Sequence, residues 1–225
     1  MTTNPTSAVN PSAPSMEALA SWPDPGPIAM LNLLRYDGEV GRVAYQRYAE
    51  TAARSIAAVG GSLIYVGQVI APTSWDTVAL VYYPRRRAYL DMQLDQRYID
   101  AIPDRTTGLA ARLLYPFALD DGTVGSSAAA AARSGQGAVT EIELRRWSSP
   151  GAIESEDDVP GTDEPAAMRL LAGGPGLVSD GRWDEVRLRH HASRPSDLDG
   201  GDAGRTTDSA IAEIQVVLST RLEDA

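Results

Sequence analysis

Apolar residues alternate with polar ones, or run unbroken, over Ile28–Tyr36, Ser62–Ala71, Asp76–Tyr83 and Arg112–Phe117. Runs of this length, rich in β-branched and aromatic residues and bounded by turn residues, predict strands. Between the first two, Val43, Ala44, Tyr48, Ala52, Ile56 and Val59 recur at helical spacing and predict a helix over Val43–Val59, stopped by Gly60-Gly61. Arg85–Leu94 predicts a second helix and Tyr98–Ile102 one more turn. The order is β-α-β-β-α-β.

The pattern then returns. Trp75-Asp76-Thr77-Val78-Ala79-Leu80 and Trp183-Asp184-Glu185-Val186-Arg187-Leu188 share Trp, Asp, Val and Leu, 183 − 75 = 108 residues apart. Met30–Tyr36 precedes the first copy, and Glu141–Trp147 precedes the second at nearly the same distance, 143 − 32 = 111. In the second half, strands are expected over Ala138–Trp147, Leu177–Asp180, Trp183–Ala192 and Ala210–Thr220, with a short helix over Pro165–Ala172 before Gly173-Gly174. Residues 148–164 and 193–208 lack periodicity and read as loops. The chain therefore divides into a flexible tail (1–25) with a short helical turn around Met16–Ala20, a first unit (26–119), a Gly/Ser/Ala-rich linker (120–137) and a second, helix-poor unit (138–225).

Composition narrows the chemistry. The net charge of −10 argues against a nucleic-acid partner, which needs a basic face. All 20 basic residues are Arg, so no lysine Schiff base can form, and the absence of Cys removes disulfides, thiolate nucleophiles and cysteine metal sites. No apolar run approaches a membrane span, and no signal-peptide pattern opens the chain, so a cytoplasmic protein without a membrane partner is expected.

Met30-Leu31-Asn32-Leu33-Leu34, Ala44-Tyr45, Tyr48, Gly60-Gly61, Trp75-Asp76 and Pro84 together resemble an uncharacterised family of the dimeric α+β barrel superfamily, over roughly 28–117. The resemblance implies an α+β fold: two tandem ferredoxin-like β-α-β-β-α-β units whose antiparallel sheets form one barrel, the second unit a degenerate repeat of the first. The superfamily includes cofactor-free monooxygenases, polyketide cyclases, lactone isomerases and haem enzymes, so the fold does not fix the function.

Alternation along the strands assigns faces. Leu31 and Leu33 are expected to face the helices, with Met30, Asn32 and Leu34 turned inward; Ile142 and Leu144 outward, with Glu141, Glu143 and Arg145 inward. Thr77, Ala79, Val81 and Tyr83, and in the other copy Glu185, Arg187, Arg189 and His191, complete the inward set. An apolar wall facing a charged one suits a ligand with an apolar body and a few polar groups; the alternative is a solvated sheet face laced with ion pairs.

Within that set His191 and Glu143 are candidate acid and base, and Asn32 is a candidate holder of a substrate carbonyl. Tyr83, Arg187, Arg189 and Glu141 are candidate substrate contacts. Adjacent on one strand, His190 and His191 point to opposite faces and cannot share a metal, and no metal site or cofactor is expected. The expected function is a cofactor-independent enzyme of secondary metabolism that cyclises or isomerises an apolar, oxygen-rich, polyketide-like small molecule. The alternatives are a cofactor-free monooxygenase on a phenolic substrate and a non-catalytic small-molecule binding protein. A monomeric barrel and a homodimer both fit.

Overall fold

The structure, a computed structural model, describes residues 9–70, 73–119, 139–147, 168–171, 175–178, 183–191 and 211–221. Its elements are α1 (Ala13–Ser21), β1 (Ile28–Tyr36), α2 (Gly38–Ala58), β2 (Ser62–Val69), β3 (Thr77–Tyr83), α3 (Arg86–Met92), α4 (Gln96–Gly108), β4 (Leu109–Ala118), β5 (Val139–Trp147), β6 (Met168–Leu171), β7 (Glu185–His191) and β8 (Ile211–Arg221). The expected linker and both expected loops lie outside the described residues.

One antiparallel sheet of eight strands runs in the order β4-β1-β3-β2-β8-β5-β7-β6. The first four follow the ferredoxin-like order, with helices against one face. The halves meet where β2 pairs with β8 through Gly67, Gln68 and Val69, and the Tyr65 and Ser219 hydroxyls, 2.8 Å apart, reinforce that seam. The sheet curls: Leu114 of β4 exchanges backbone hydrogen bonds with Val178, just beyond β6, so the two edges approach each other. Among the described residues no helix is long and apolar enough to cross a membrane.

The two apolar layers fall opposite to the expected faces. Leu31, Leu33, Val78 and Leu80 pack with Ile142, Leu144, Trp183, Val186 and Leu188 in the core between the two halves of the sheet. Met30, Val81, Tyr83 and Leu114 pack instead with Tyr48, Ala52 and Ile56 of α2. Asn32, Thr77 and Ala79 share this second face by register. The inversion has a plain cause: every residue of Ile28–Leu34 is buried, so β1 is apolar on both sides and alternation cannot say which side takes the helices. The space between the sheet halves is a packed core.

Capping explains where α2 stops. Gly60 takes φ +79°, Gly61 N–H reaches Ile56 O at 2.9 Å and Gly60 N–H reaches Ala57 O at 3.0 Å, the paired bonds of a left-handed helix end. The last helix of the first half is longer than expected. Asp95 caps α4 by accepting from Arg97 N–H at 3.0 Å, and the helix continues through Pro103, with Arg105 buried beyond the turn expected over Tyr98–Ile102. Two further expectations change. The short turn expected around Met16–Ala20 is a full helix, Ala13–Ser21, N-capped by Ser12, whose Leu19 is fully buried against the α2 side of the sheet. Met168–Leu171, expected as helix, is a strand pairing with β7.

Candidate functional site

The helix-facing side of the sheet carries a cavity of about 1310 Å³ beneath α2. Its walls are mostly apolar, from Met30 and Leu34 on β1, Ala52 and Ile56 on α2, Val81 on β3 and Leu114 on β4. Into this lining project Asn32, Arg112 and several tyrosines.

Asn32 and Arg112 are diagonal neighbours on β1 and β4, since Asn32 pairs with Leu114 and Leu34 pairs with Arg112. Arg112 Nη2 donates to Asn32 Oδ1 at 2.7 Å and its Nε does so at 3.2 Å, while Asn32 Nδ2 donates to Met30 O at 3.2 Å. Arg112 Nη1 donates to Val9 O at 3.4 Å. Arg112 is 8% exposed, and among the described residues the hydrogen-bond partners of its guanidinium are neutral. A buried cation compensated only by dipoles is costly, and it favours a ligand that brings negative charge.

A second guanidinium lies behind the wall. Arg105 is 1% exposed; its Nη1 donates to Tyr98 Oη at 2.6 Å and to Tyr48 Oη at 3.1 Å, and its Nε donates to Asn10 Oδ1 at 2.9 Å. Helical spacing on α2 stacks Tyr45 and Tyr48, and Tyr36 continues the row with its ring 5.5 Å from Tyr45. Burial pushes the Tyr45 phenol up to about 12, and it pushes Tyr48, Tyr83 and Tyr89 upward as well. Tyr98 moves the other way: burial works against ionisation, but the charges of Arg105 and Arg112 and the hydrogen bond from Tyr48 outweigh it.

Of the residues singled out in the sequence, Asn32 and Tyr83 line this cavity, and Tyr83 Oη contacts Met92 Sδ at 3.4 Å. The others fall elsewhere. Glu141, Glu143, Arg187 and His191 are not part of the lining; they occupy the β5–β7 face turned away from the inter-sheet core, with Ile142, Leu144, Val186 and Leu188 on the other. There His191 Nε2 and Glu141 Oε2 are 2.9 Å apart, Glu143 pairs with Arg145, and Glu143 stands opposite Arg187 in register. Arg189 pairs with Glu141 in the backbone register, and its side chain lies outside the described ones, as does that of His190. Among the described residues no three His, Cys, Asp or Glu side chains are grouped so as to hold a metal ion.

Arg112, Arg105 and Tyr98 are not among the residues that the sequence singles out. Arg112 had a signal, as the single charge within the apolar strand Leu109–Ala118. Tyr98 and Arg105 did not, because Pro103 hides the continuation of the turn at Tyr98–Ile102 that brings Arg105 to Tyr98.

No protein-family model matches the chain, and no curated protein matches it. Solved structures do. A protein of unknown function from Rhodopseudomonas palustris is 25% identical, with 50% of this chain and 97% of that one covered and a TM-score of 0.46. A candidate monooxygenase from Lactobacillus acidophilus is 14% identical, with 87% of this chain and 94% of that one covered and a TM-score of 0.50. A candidate chlorite dismutase is 11% identical, with 88% and 95% covered and a TM-score of 0.51. The two longer matches share the fold across most of both chains. The class this defines is a mixed α+β protein with a ferredoxin-like, curled antiparallel sheet.

Proposed function

We propose that the chain is an enzyme acting on an apolar, oxygen-bearing small molecule of phenolic or enolic type, bound between α2 and the sheet. The observation that carries this reading is the Arg112–Asn32 pair, a buried cation without a carboxylate partner among the described residues, set in a mostly apolar cavity of about 1310 Å³ whose lining also includes Glu39, Glu50 and Asp76. A phenol or enol oxygen placed beside Arg112 loses its proton more readily, because the guanidinium stabilises the anion in a low-dielectric site. Asn32 holds the fork of Arg112 in place.

That anion can react in two ways. With dioxygen it forms a new carbon–oxygen bond: an activated CH2 becomes C=O, one O2 is consumed and one water leaves. Without an oxidant it cyclises or isomerises. Oxygenation comes first, because the proteins sharing this fold include a candidate monooxygenase from Lactobacillus acidophilus; no observation favours cyclisation specifically. The test is dissolved-oxygen consumption with a panel of polycyclic phenols. One O2 consumed per molecule of product is the expected result, and conversion without oxygen consumption would favour cyclisation or isomerisation.

A second reading places proton transfer on the β5–β7 face, where the His191 imidazole meets the buried Glu141 carboxylate at 2.9 Å and Glu143 lies nearby in the strand.

We also infer that the chain is two degenerate ferredoxin-like units forming one barrel. What supports this is a set of matched details. The last four strands, β8-β5-β7-β6, repeat the arrangement of β4-β1-β3-β2. Asp76 N–H donates to Leu34 O at 2.8 Å, and Asp184 N–H donates to Arg145 O at 2.9 Å. The register slips between Arg35 and Tyr36 in one half and between Arg146 and Trp147 in the other. Trp75 and Trp183 pack in the same core. A sheet paired within one chain suits a monomer.

A further inference from the structure

Arg105 keeps its charge at every accessible pH, and it is 1% exposed. Among the described residues its hydrogen-bond partners are Asn10, Tyr48 and Tyr98, none of them a carboxylate. The acidic groups within reach of this cation are therefore two phenols, whose oxygens stand 3.0 Å apart. If one ionises, the other can donate to it. The 2.6 Å contact from Arg105 Nη1 to Tyr98 Oη is at the short end even for a charge-assisted bond, whereas Tyr48 sits at 3.1 Å. Tyr98 also forms part of the cavity wall, together with Asn32 and Arg112.

We propose that Tyr98 is the acid–base group of this cavity, held as a phenolate between the Arg105 guanidinium and the Tyr48 hydroxyl, and that it takes the proton of the bound phenol or enol. The role rests on the reading of the cavity as a phenol site. In the step, the substrate O–H bond breaks, its proton passes to Tyr98 Oη, and its electron pair stays on the substrate oxygen beside Arg112. Tyr98 becomes a neutral phenol that still hydrogen-bonds Tyr48 and Arg105, and no electron changes hands. The proton goes back when water or product leaves. Asn10 is a positioning residue here: its Oδ1 accepts from Arg105 Nε and its Nδ2 donates to Thr106 Oγ1 at 2.9 Å, which fixes the guanidinium from the N-terminal side.

The groups facing Tyr98 are Tyr45 and Tyr48 from α2, Tyr83 from β3, Tyr89 from α3, Gln93 just beyond α3, Arg105 from α4 itself and Arg112 from β4. Burial opposes ionisation of all the phenols. Only at Tyr98 do the two cations, aided by Tyr48 and Gln93, overcome it, so Tyr98 is the first of these phenols to ionise as pH rises.

The experiment is a spectrophotometric pH titration of tyrosinate absorbance on the full chain, native and variant. One tyrosine equivalent should ionise below the ordinary value of 10.0 in the native protein. That step should vanish in Tyr98→Phe, move upward in Arg105→Gln, and stay low in Arg105→Lys, which keeps the charge. A native protein with no tyrosine ionising below 10.0, or a low step that persists in Tyr98→Phe, overturns the phenolate. A parallel arm follows the naphtholate absorbance of added β-naphthol. Deprotonation on binding to the native protein and not to Tyr98→Phe supports proton transfer to Tyr98, and equal deprotonation in both overturns it. If β-naphthol does not bind while the low tyrosine step is present, the phenol reading of the cavity fails and the Tyr98–Arg105 phenolate stands.

Discussion

The Arg112 guanidinium reaches diagonally across the β1–β4 pairing and donates two hydrogen bonds, at 2.7 and 3.2 Å, to the single side-chain oxygen of Asn32. With its main partner an amide, the cation retains most of its field for whatever enters the cavity. Replacing Arg112 with Met should lower turnover by roughly a hundred- to a thousand-fold, the usual cost of removing one oxyanion donor. Stability should behave differently. Met alone leaves Asn32 Oδ1 without Arg112's donors, at a cost of about 1–3 kcal/mol, but the double variant Asn32→Leu/Arg112→Met removes a buried polar pair altogether. Its thermal midpoint should be equal to or above that of the native protein. Steady-state kinetics and calorimetric melting check the two halves of this prediction.

Helices α2 and α4 touch backbone to backbone at Gly41 and Gly108. A Cβ on Gly41 would stand 2.7 Å from Gly108 O, and one on Gly108 would stand 2.9 Å from both Gly41 O and Tyr45 N. These obstacles are backbone and cannot swing away, so either Gly→Ala change should destabilise by about 1–3 kcal/mol. Because Tyr45 shares the contact, Gly108→Ala should also disturb the cavity wall. Urea unfolding at constant m-value, with tyrosine fluorescence as a second probe, measures both.

Alkali should unfold this protein early. Tyr36, Tyr45, Tyr48, Tyr83 and Tyr89 all have folded-state values raised above 10.0, burial being the largest cause. Between pH 10 and about 12, where Tyr45 titrates, the unfolded chain sheds these protons and the folded one keeps them. The unfolded state then binds fewer protons, so stability falls as pH rises through that window. Tyr98, lowered instead, contributes in the opposite sense below 10.0, as a single group against five. Chemical denaturation across pH 8 to 12, by about one-unit steps, should show a steepening loss above 10.

The N-terminal helix should matter to the whole fold. Leu19 is fully buried against the α2 side of the sheet, and Met16 and Trp22 pack beside it. Leu19→Ala should cost about 2–5 kcal/mol, as for other core leucines. A loss below about 0.5 kcal/mol, the range for surface sites, would mean that α1 is not part of the core.

The strands were largely legible: Ile28–Tyr36 has the bounds that its apolar run predicts, and Gly60-Gly61 ends α2 as expected. The face assignment was not legible, since a strand buried on both sides gives the alternation nothing to choose between. That single inversion moved Asn32 and Tyr83 from the inter-sheet core to the helix side, and it moved the β5–β7 charges away from them. Half of the site could be seen as odd residues in apolar strands, Asn32 and Arg112. The remainder depends on Tyr98 and Arg105, which meet only because α4 runs on through Pro103 and returns them to Tyr48, 50 and 57 residues away. The helix Ala13–Ser21 was legible only as a short turn around Met16–Ala20, and its docking was hidden by composition, for a Pro- and Ser-rich segment can still bury one leucine.

The most direct measurement compares two variants in one assay: isothermal calorimetric titration of polycyclic phenols into the native protein, Arg112→Met and His191→Ala. The expected result is binding by the native chain and by His191→Ala, with loss of at least about tenfold in affinity for Arg112→Met, or roughly 1.4 kcal/mol. Binding that survives Arg112→Met and disappears in His191→Ala would contradict the assignment and move the site to the β5–β7 face.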